Sequence, residues 1–248
     1  MITEPTVDRL LALRLRAMAE AYRAQLQDPN LASLSFDERL GLLVEAEHLA
    51  RQRRLLDRRL KEAHLRIPQA CLEDVRTDGG RGVERRLLRQ LASGQWIAAH
   101  QHVLITGPTG VGRTYLACAL AQQACRHGYR VLYRRLPRLF DELALARADG
   151  SYATLMARFA RADVLALDDW GLSVLKEGQR QDILEILEDR DGIRSTIITS
   201  QLPRSEWHVA LGEPTIADAI IDRLVHNAHE FALTGPSQRG ERTTLTKK

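Results

Sequence analysis

Hydrophobic and polar positions follow two different patterns along the chain, one before and one after about residue 100. Residues 1–66 are rich in Ala, Leu, Arg, Gln and Glu and show no strand-like alternation, which predicts helices. A first helix is expected from Val7 to Gln27, because Asp28-Pro29-Asn30 cannot continue a helix. Ser35-Phe36-Asp37-Glu38 has the capping-box pattern and predicts the start of a second helix.

From His102 onward, short apolar runs alternate with helical patterns. The candidate strands are 102–106, 129–134, 163–168, 195–200 and 229–233. The candidate helices between them are 113–127, 137–147, 151–161, 178–190, 203–210 and 215–226. Alternation of this kind predicts an α/β fold with a five-stranded parallel sheet and helices on both faces, preceded by a small all-α N-terminal domain.

The predicted domain boundaries follow from this change of pattern. The helical domain covers 1–66, a segment rich in chain breakers at 67–82 is a linker, and the α/β domain covers 83–234. Residues 235–248 are polar and basic and are expected to be disordered. No apolar stretch reaches 18 residues and no signal-peptide pattern opens the chain, so we expect no membrane contact and a cytoplasmic location.

Positive charge is concentrated at the end of the second predicted helix. The net charge is only +4, yet the segment from Arg51 to Arg66 holds seven basic and two acidic residues. A basic stripe on a helix suits a phosphate backbone, and the alternative is a solvated helix face. The DNA-binding candidates are Arg51, Arg53, Arg54, Arg58, Arg59 and Lys61.

A glycine-rich loop between a predicted strand and a predicted helix is the strongest chemical signal in the chain. Its backbone amides and the helix N-terminus can surround a phosphate, and a hydroxyl at its end can ligate Mg²⁺. The position that is Lys in the P-loop pattern is Arg113 here. The nucleotide-binding candidates are Gly107, Pro108, Thr109, Gly110, Val111, Gly112, Arg113, Thr114 and Tyr115.

Polar side chains end two later strands. The run Val164–Asp169 has the form of a Walker B element, in which Asp168 would hold Mg²⁺ opposite Thr114 and Asp169 would orient the attacking water. Two adjacent acids could also mark a turn, but their place some fifty residues after a P-loop favours the functional interpretation. Thr199 and Ser200, at the end of the next strand, could sense the γ-phosphate.

One arginine stands on an otherwise acidic and apolar helix near the C-terminus. Arg223 is a candidate arginine finger, because phosphoryl transfer needs positive charge that a neighbouring subunit often supplies. The alternative is an ion pair with Asp218 or Asp222 on its own helix.

Taken in order, these motifs resemble the AAA+ ATPases of the DnaC/DnaA clade, and more closely the IstB family of transposition helpers. Besides the P-loop, the resemblance is carried by Asp168-Asp169-Trp170-Gly171, Thr199-Ser200-Gln201-Leu202-Pro203 and Asp222-Arg223-Leu224-Val225-His226-Asn227. It implies ATP and Mg²⁺ as cofactors, a homo-oligomer with intersubunit ATP sites, assembly on duplex DNA and an IstA-type transposase as partner. It also implies that helices between Pro137 and Ala160 face nucleic acid. The chain departs from the family pattern after Leu224, where about 24 residues are too few for the usual helical lid, so we expect the lid to be absent or vestigial.

Three functions remain open on the sequence. The first is an ATP-hydrolysing, DNA-binding transposition helper, and the second is a DnaC-like helicase loader that prefers single-stranded DNA. The third is a nucleotide-binding DNA scaffold with little hydrolysis, because the bulky, planar Arg113 replaces a compact ammonium. Losing half of a charge-assisted contact, about 1.5 kcal/mol, would slow hydrolysis roughly tenfold.

Overall fold

The computed structural model describes residues 3–77 and 80–238, which belong to two compact units that meet in sequence between Arg58 and Arg59. The described residues of the first unit form helices and the turns that join them. Its elements are α1 (Thr3–Ala12), α2 (Arg16–Gln27), a 3-10 helix (Pro29–Ser33) and α3 (Phe36–Ala63), whose last turn belongs to the second unit. The predicted extent of the helical domain, residues 1–66, and its role in binding DNA or a partner remain predictions.

The prediction of a single helix from Val7 to Gln27 is wrong, because the helix is interrupted between α1 and α2. Arg14 adopts a left-handed conformation with φ 60°, which an α-helix does not accommodate. The Leu15 amide donates to the Leu10 carbonyl at 2.8 Å, and the Arg14 amide donates to the Leu11 carbonyl at 2.9 Å. These bonds satisfy the last carbonyls of α1 in the way that a glycine-type helix end does.

The other helix boundaries predicted for this unit are confirmed. Helix α2 ends at Gln27, and the Asp28 carboxylate accepts a hydrogen bond from the Asn30 amide at 2.9 Å. At the start of α3 the Ser35 amide donates to the Glu38 carboxylate at 2.8 Å, while the Glu38 amide donates to the Ser35 hydroxyl at 3.3 Å. This reciprocal pair is the predicted capping box.

The second unit is a parallel sheet with helices, and it confirms the predicted α/β class. Its helices are α4 (Arg85–Ala92), α5 (Gln95–Ala98), α6 (Arg113–Arg126), α7 (Leu136–Asp149), α8 (Tyr152–Arg161), α9 (Glu177–Glu188), α10 (Trp207–Leu211) and α11 (Pro214–Val225), with 3-10 helices at Leu72–Asp74 and Arg204–Glu206. Its strands are β1 (His102–Thr106), β2 (Val131–Arg135), β3 (Val164–Trp170), β4 (Ser195–Ser200) and β5 (Ala228–Ala232). All five strands are parallel, in the order β2-β3-β4-β1-β5.

This strand order brings the chemically distinctive segments to one edge of the sheet. Strand β1, which leads into the glycine-rich loop, lies beside β4, and β4 lies beside β3. Because all the strands are parallel, their carboxyl ends meet at one edge, where ligands bind in open α/β sheets. Asp168, Thr199 and the glycine-rich loop are therefore neighbours in space.

The core of this unit is built on apolar strands and large side chains. Trp170 and Trp207 are fully buried, with ring centroids 5.6 Å apart. Arg190 is also buried, and its guanidinium donates to the carbonyls of Phe159 and Ala162 at 2.6 and 2.7 Å and to the carbonyl of Ser195. This arginine therefore ties the end of α8 to the start of β4.

Two segments outside the sheet contact the glycine-rich loop or the helix that follows it. In the predicted linker, the Cys71 amide donates to the Tyr115 hydroxyl at 3.5 Å, and Glu73 pairs with Arg126 at 2.8 Å. After β5, the Gln238 amide donates to the Gly110 carbonyl at 2.9 Å. The rest of the predicted disordered tail, 239–248, lies outside the described residues. No helix in the described part of the chain is long and apolar enough to cross a membrane.

Candidate nucleotide-binding site

The glycine-rich loop connects β1 to α6 and needs its glycines for steric reasons. Gly107, Gly110 and Gly112 all have positive φ, at 140°, 91° and 109°. A Cβ at Gly107 would lie 2.3 Å from the backbone carbonyl oxygen of Leu233, a distance that no side chain tolerates. The loop can therefore follow a path closed to other residues, as a phosphate-binding loop requires.

Arg113 is the first residue of α6 and is buried, with 8% of its surface exposed. Gly112 precedes it in a left-handed conformation, so the loop enters the helix directly at this arginine. Arg113 therefore carries its positive charge at the first position of the helix that follows the glycine-rich loop. The site therefore keeps the charge that a P-loop lysine supplies, in a bulkier and planar form.

Asp168 is the centre of the site. Its carboxylate is 1% exposed and accepts hydrogen bonds from hydroxyl groups on three other elements. The Thr114 hydroxyl, on α6, lies 3.1 Å from both carboxylate oxygens, and the hydroxyls of Tyr133 on β2 and Thr199 on β4 donate to it. The predicted Thr114 and Asp168 are therefore brought together, and Tyr133 joins them.

Tyr133 is not among the site residues predicted from the sequence. Burial and the adjacent Asp168 charge raise the pKa of this phenol above its ordinary value, so it stays protonated and remains a donor. The available signal was a polar aromatic residue inside the apolar start of β2, next to Val131 and Leu132. Only the pairing of β2 with β3 shows which carboxylate it meets.

Asp169 adopts an unusual backbone conformation for a residue at the end of a strand. Its φ is 66°, and the pairing of β3 with β4 shifts between Leu167 and Trp170. Its amide donates to the Thr199 hydroxyl at 3.3 Å, and the Arg135 guanidinium donates to its carboxylate at 2.8 Å. A left-handed non-glycine residue stores strain of the kind found at functional sites. Sequence reasoning also missed Arg135.

The two candidates at the end of β4 differ in what they contact. Thr199 bonds both to the Asp168 carboxylate and to the Asp169 amide. Ser200 instead donates to the Trp170 carbonyl at 2.9 Å and accepts from the Leu202 amide at 3.0 Å. The next residue, Gln201, accepts a bond from the Thr109 hydroxyl at 2.9 Å, which connects this strand end to the glycine-rich loop.

Arg66, the residue just before the predicted linker, also reaches the acidic pair. The Arg66 guanidinium lies 3.5 Å from the Asp168 carboxylate and 3.9 Å from that of Asp169. Sequence reasoning counted Arg66 only as part of the basic stripe. Its position beside the acidic pair comes from the fold.

The structure places Arg223 on α11, where it contacts other groups of its own chain. Its guanidinium donates to the Ala219 carbonyl at 2.8 Å and pairs with Glu188 at 2.9 Å. Its side chain is 27% exposed, so part of it remains accessible to another molecule. Neither Asp218 nor Asp222, the partners considered from the sequence, is its described ion-pair partner.

The DNA-binding candidates lie on α3, and two of them form ion pairs within the first unit. Arg51 and Arg54 pair with the buried Glu47 at 2.9 and 3.0 Å. Glu47 also accepts the Ala17 amide at 3.0 Å, so it joins α3 to α2. Arg53, Arg58 and Lys61 are exposed, and Arg59 is half-buried.

The residues present suit a magnesium–nucleotide complex. Magnesium is usually held by one or two carboxylates and substrate phosphates, and the Thr114 hydroxyl and Asp168 carboxylate lie 3.1 Å apart beside the glycine-rich loop. Among the described residues, no group of three or more His, Cys, Asp or Glu side chains could hold a metal by itself. Thr114 and Asp168 would therefore hold the ion together with the nucleotide.

The strand order, the glycine-rich loop after β1 and the acidic end of β3 give this unit the fold of an AAA+ P-loop domain. The fold is similar to the crystal structure of DnaI, with a TM-score of 0.59 and 24% identity over 67% of this chain and 92% of that one. It is also similar to DnaA bound to AMPPCP and single-stranded DNA, with a TM-score of 0.55 and 18% identity over 70% and 53% of the two chains.

Sequence comparison identifies the family within this class. The profile described as IstB-like ATP binding protein matches residues 8–246, and the chain belongs to that family. A Sinorhizobium fredii (strain NBRC 101917 / NGR234) protein named as an insertion sequence ATP-binding protein, y4pL, is 52% identical over 96% of this chain and 97% of its own length.

Proposed function

We propose that this protein is an ATP-dependent, DNA-binding transposition helper that assembles on duplex DNA and recruits or activates an IstA-type transposase. The observation that carries the proposal is the joining of Thr114, Thr199 and Asp168 in one hydrogen-bonded cluster beside the glycine-rich loop. The family and the name of y4pL support a role in an insertion sequence. The exposed basic residues of α3 support contact with DNA.

The reaction we propose is hydrolysis of ATP to ADP and phosphate. Thr114 and Asp168 would hold Mg²⁺, which would neutralise charge on phosphates bound at the loop from Gly107 to Thr114. Asp169 would orient the attacking water, and the Arg135 guanidinium, which donates to its carboxylate at 2.8 Å, would hold that carboxylate in place. Thr199, which bonds to both acidic residues, would position them relative to the γ-phosphate.

We place the arginine finger at Arg223, acting on the site of a neighbouring subunit in a homo-oligomer. The contacts of Arg223 to Ala219 and Glu188 hold its guanidinium at the surface of α11. An arginine supplied by a neighbour would link hydrolysis to assembly, because a site would be complete only between two subunits.

Arg113 favours a second candidate, a nucleotide-binding DNA scaffold with little hydrolysis. Its buried guanidinium retains phosphate-binding charge but does not reproduce the geometry of a lysine ammonium. A DnaC-like helicase loader has support only from the fold, which is also shared with DnaI.

DNA binding that depends on ATP tests the proposal. Fluorescence anisotropy of labelled duplex DNA should show binding with ATP and Mg²⁺, weaker binding with ADP, and a steep loss of affinity with salt. A competing unlabelled duplex should displace the label better than a single strand of equal length. Binding that ignores nucleotide at every salt concentration contradicts the proposal, and a preference for single strands favours the helicase loader.

A further inference from the structure

Arg66 approaches the acidic pair of the nucleotide site from the solvent side. Its side chain is 43% exposed, whereas those of Asp168 and Asp169 are 1% and 13% exposed. The same guanidinium nitrogen, Nη1, lies 3.5 Å from Asp168 Oδ2 and 3.9 Å from Asp169 Oδ2. Arg66 therefore places a positive charge next to two carboxylates that the protein otherwise covers.

The chain around Arg66 is attached to the helix that follows the glycine-rich loop. Leu65 is buried, and the backbone of Arg66 and Ile67 lies close to the Cys118 thiol on α6. A few residues later the Cys71 amide donates to the Tyr115 hydroxyl. These contacts set the position of the Arg66 backbone, while its long side chain retains the freedom to turn toward solvent.

Two arginines face the acidic pair, and they are not equivalent. Arg135 donates to Asp169 at 2.8 Å, so the Asp169 charge already has a close partner. Asp168 receives hydroxyl donors from Thr114, Tyr133 and Thr199, and its nearest described ion-pair partner is Arg66. The charge of Arg66 is therefore mainly matched to Asp168.

Asp168 is also the carboxylate that would hold magnesium together with Thr114. A guanidinium and a divalent cation at the same carboxylate repel each other, so the presence of one weakens the binding of the other. We propose that Arg66 competes with Mg²⁺ for Asp168, so that the metal enters with the nucleotide only when the guanidinium turns away. The inference rests on the proposed ATP site. It adds that the Arg66 guanidinium sets the Mg²⁺ concentration that this site needs.

Removing the guanidinium should lower the magnesium concentration that the site needs. The probe is a fluorescent ATP analogue, titrated first in EDTA and then with MgCl₂ at fixed nucleotide. For Arg66→Gln we expect unchanged affinity in EDTA and a half-saturating Mg²⁺ concentration about three- to tenfold lower than in the wild type, the size expected for loss of a partly exposed ion pair. Arg66→Lys, which retains the charge on a shorter donor group, should fall between the two.

The matched control is Arg86→Gln, on α4. It removes one positive charge from an exposed arginine in the same unit, so it reproduces any effect of net charge alone. Its half-saturating Mg²⁺ concentration should equal that of the wild type. Circular dichroism and thermal melting of all the variants establish that each is folded.

The outcomes separate this inference from the function on which it rests. An unchanged or raised Mg²⁺ requirement in Arg66→Gln, with normal nucleotide binding, overturns the inference alone. An equal shift in Arg86→Gln also overturns it, because net charge would then explain the result. Absence of nucleotide binding by every variant and by the wild type overturns the proposed ATP site, and the inference with it.

Discussion

Thr199 and Ser200 offer a matched pair of substitutions that separates catalysis from stability. Both are buried at the end of β4, and each hydroxyl donates one hydrogen bond and accepts another. Only Thr199 contacts the acidic pair, through the Asp168 carboxylate and the Asp169 amide. Thr199→Val and Ser200→Ala should therefore destabilise the fold by similar amounts but differ in ATP hydrolysis.

The magnitudes follow from the bonds that each variant loses. A net contribution of about 1 kcal/mol per hydrogen bond, with more for one to a carboxylate, gives a destabilisation of about 2–3 kcal/mol for either variant. For a protein of this size that is a fall of roughly 4–12 °C in melting temperature. If Thr199 also contributes about 1.4–2.7 kcal/mol to the transition state by positioning Asp168 and Asp169, hydrolysis slows ten- to a hundredfold in Thr199→Val.

The assay is single-turnover hydrolysis of radiolabelled ATP by excess protein, which measures slow rates reliably. We expect Ser200→Ala to stay within about threefold of the wild type, a change of less than 1 kcal/mol in the barrier. Thermal melting of the same samples measures the stability. Equal loss of hydrolysis in both variants, or normal hydrolysis in Thr199→Val, would refute the role given to Thr199.

Three further predictions concern pH, assembly and the core. Burial, reinforced by the Arg190 charge, lowers the pKa of His102 to about 4, so the unfolded state binds a proton that the folded state does not. Stability is therefore fully present above about pH 6.5 and falls by about 3 kcal/mol as the pH drops to 4. Urea unfolding should show a smaller loss for His102→Asn, and equal pH slopes would contradict this. Mixing Arg223→Ala with Asp169→Asn should restore ATP hydrolysis that neither has alone, and no recovery in a mixed oligomer argues against a finger from the neighbour. Arg190→Met removes the guanidinium that donates to three carbonyls and should cost at least about 3 kcal/mol in urea unfolding, whereas a loss below about 1 kcal/mol would show that Arg190 is dispensable.

The fold was largely predictable because its signals are local and periodic. Two signals can be recognised without any knowledge of the sheet order: the apolar run that ends in Asp168 and the glycines between β1 and α6. The capping box at Ser35 was predictable for the same reason. The break at Arg14 was not, because no glycine or proline marks it and the left-handed conformation falls on an ordinary residue.

The parts of the site that escaped prediction depend on the register of the sheet and on a segment outside it. Arg135 pairs in register with Asp168 on the neighbouring strand, and Tyr133 lies two residues earlier on the same strand face. Nothing in the sequence alone states that register. Arg66 stands just before the breaker-rich segment 67–82, which carries no periodic signal. Its approach to Asp168 therefore depends on how the chain after α3 packs against α6.

In the proposed function the loop from Gly107 to Thr114 is the phosphate site of an ATPase, and Arg113 limits its rate. Steady-state ATP hydrolysis, with and without duplex DNA, tests it in three proteins: the wild type, Arg113→Lys and Asp169→Asn. We predict slow hydrolysis by the wild type, a rate about tenfold higher for Arg113→Lys, and none above background for Asp169→Asn. Equal, substantial rates for the wild type and Arg113→Lys would contradict the limit placed on Arg113. Hydrolysis by none of the three would contradict the ATPase itself.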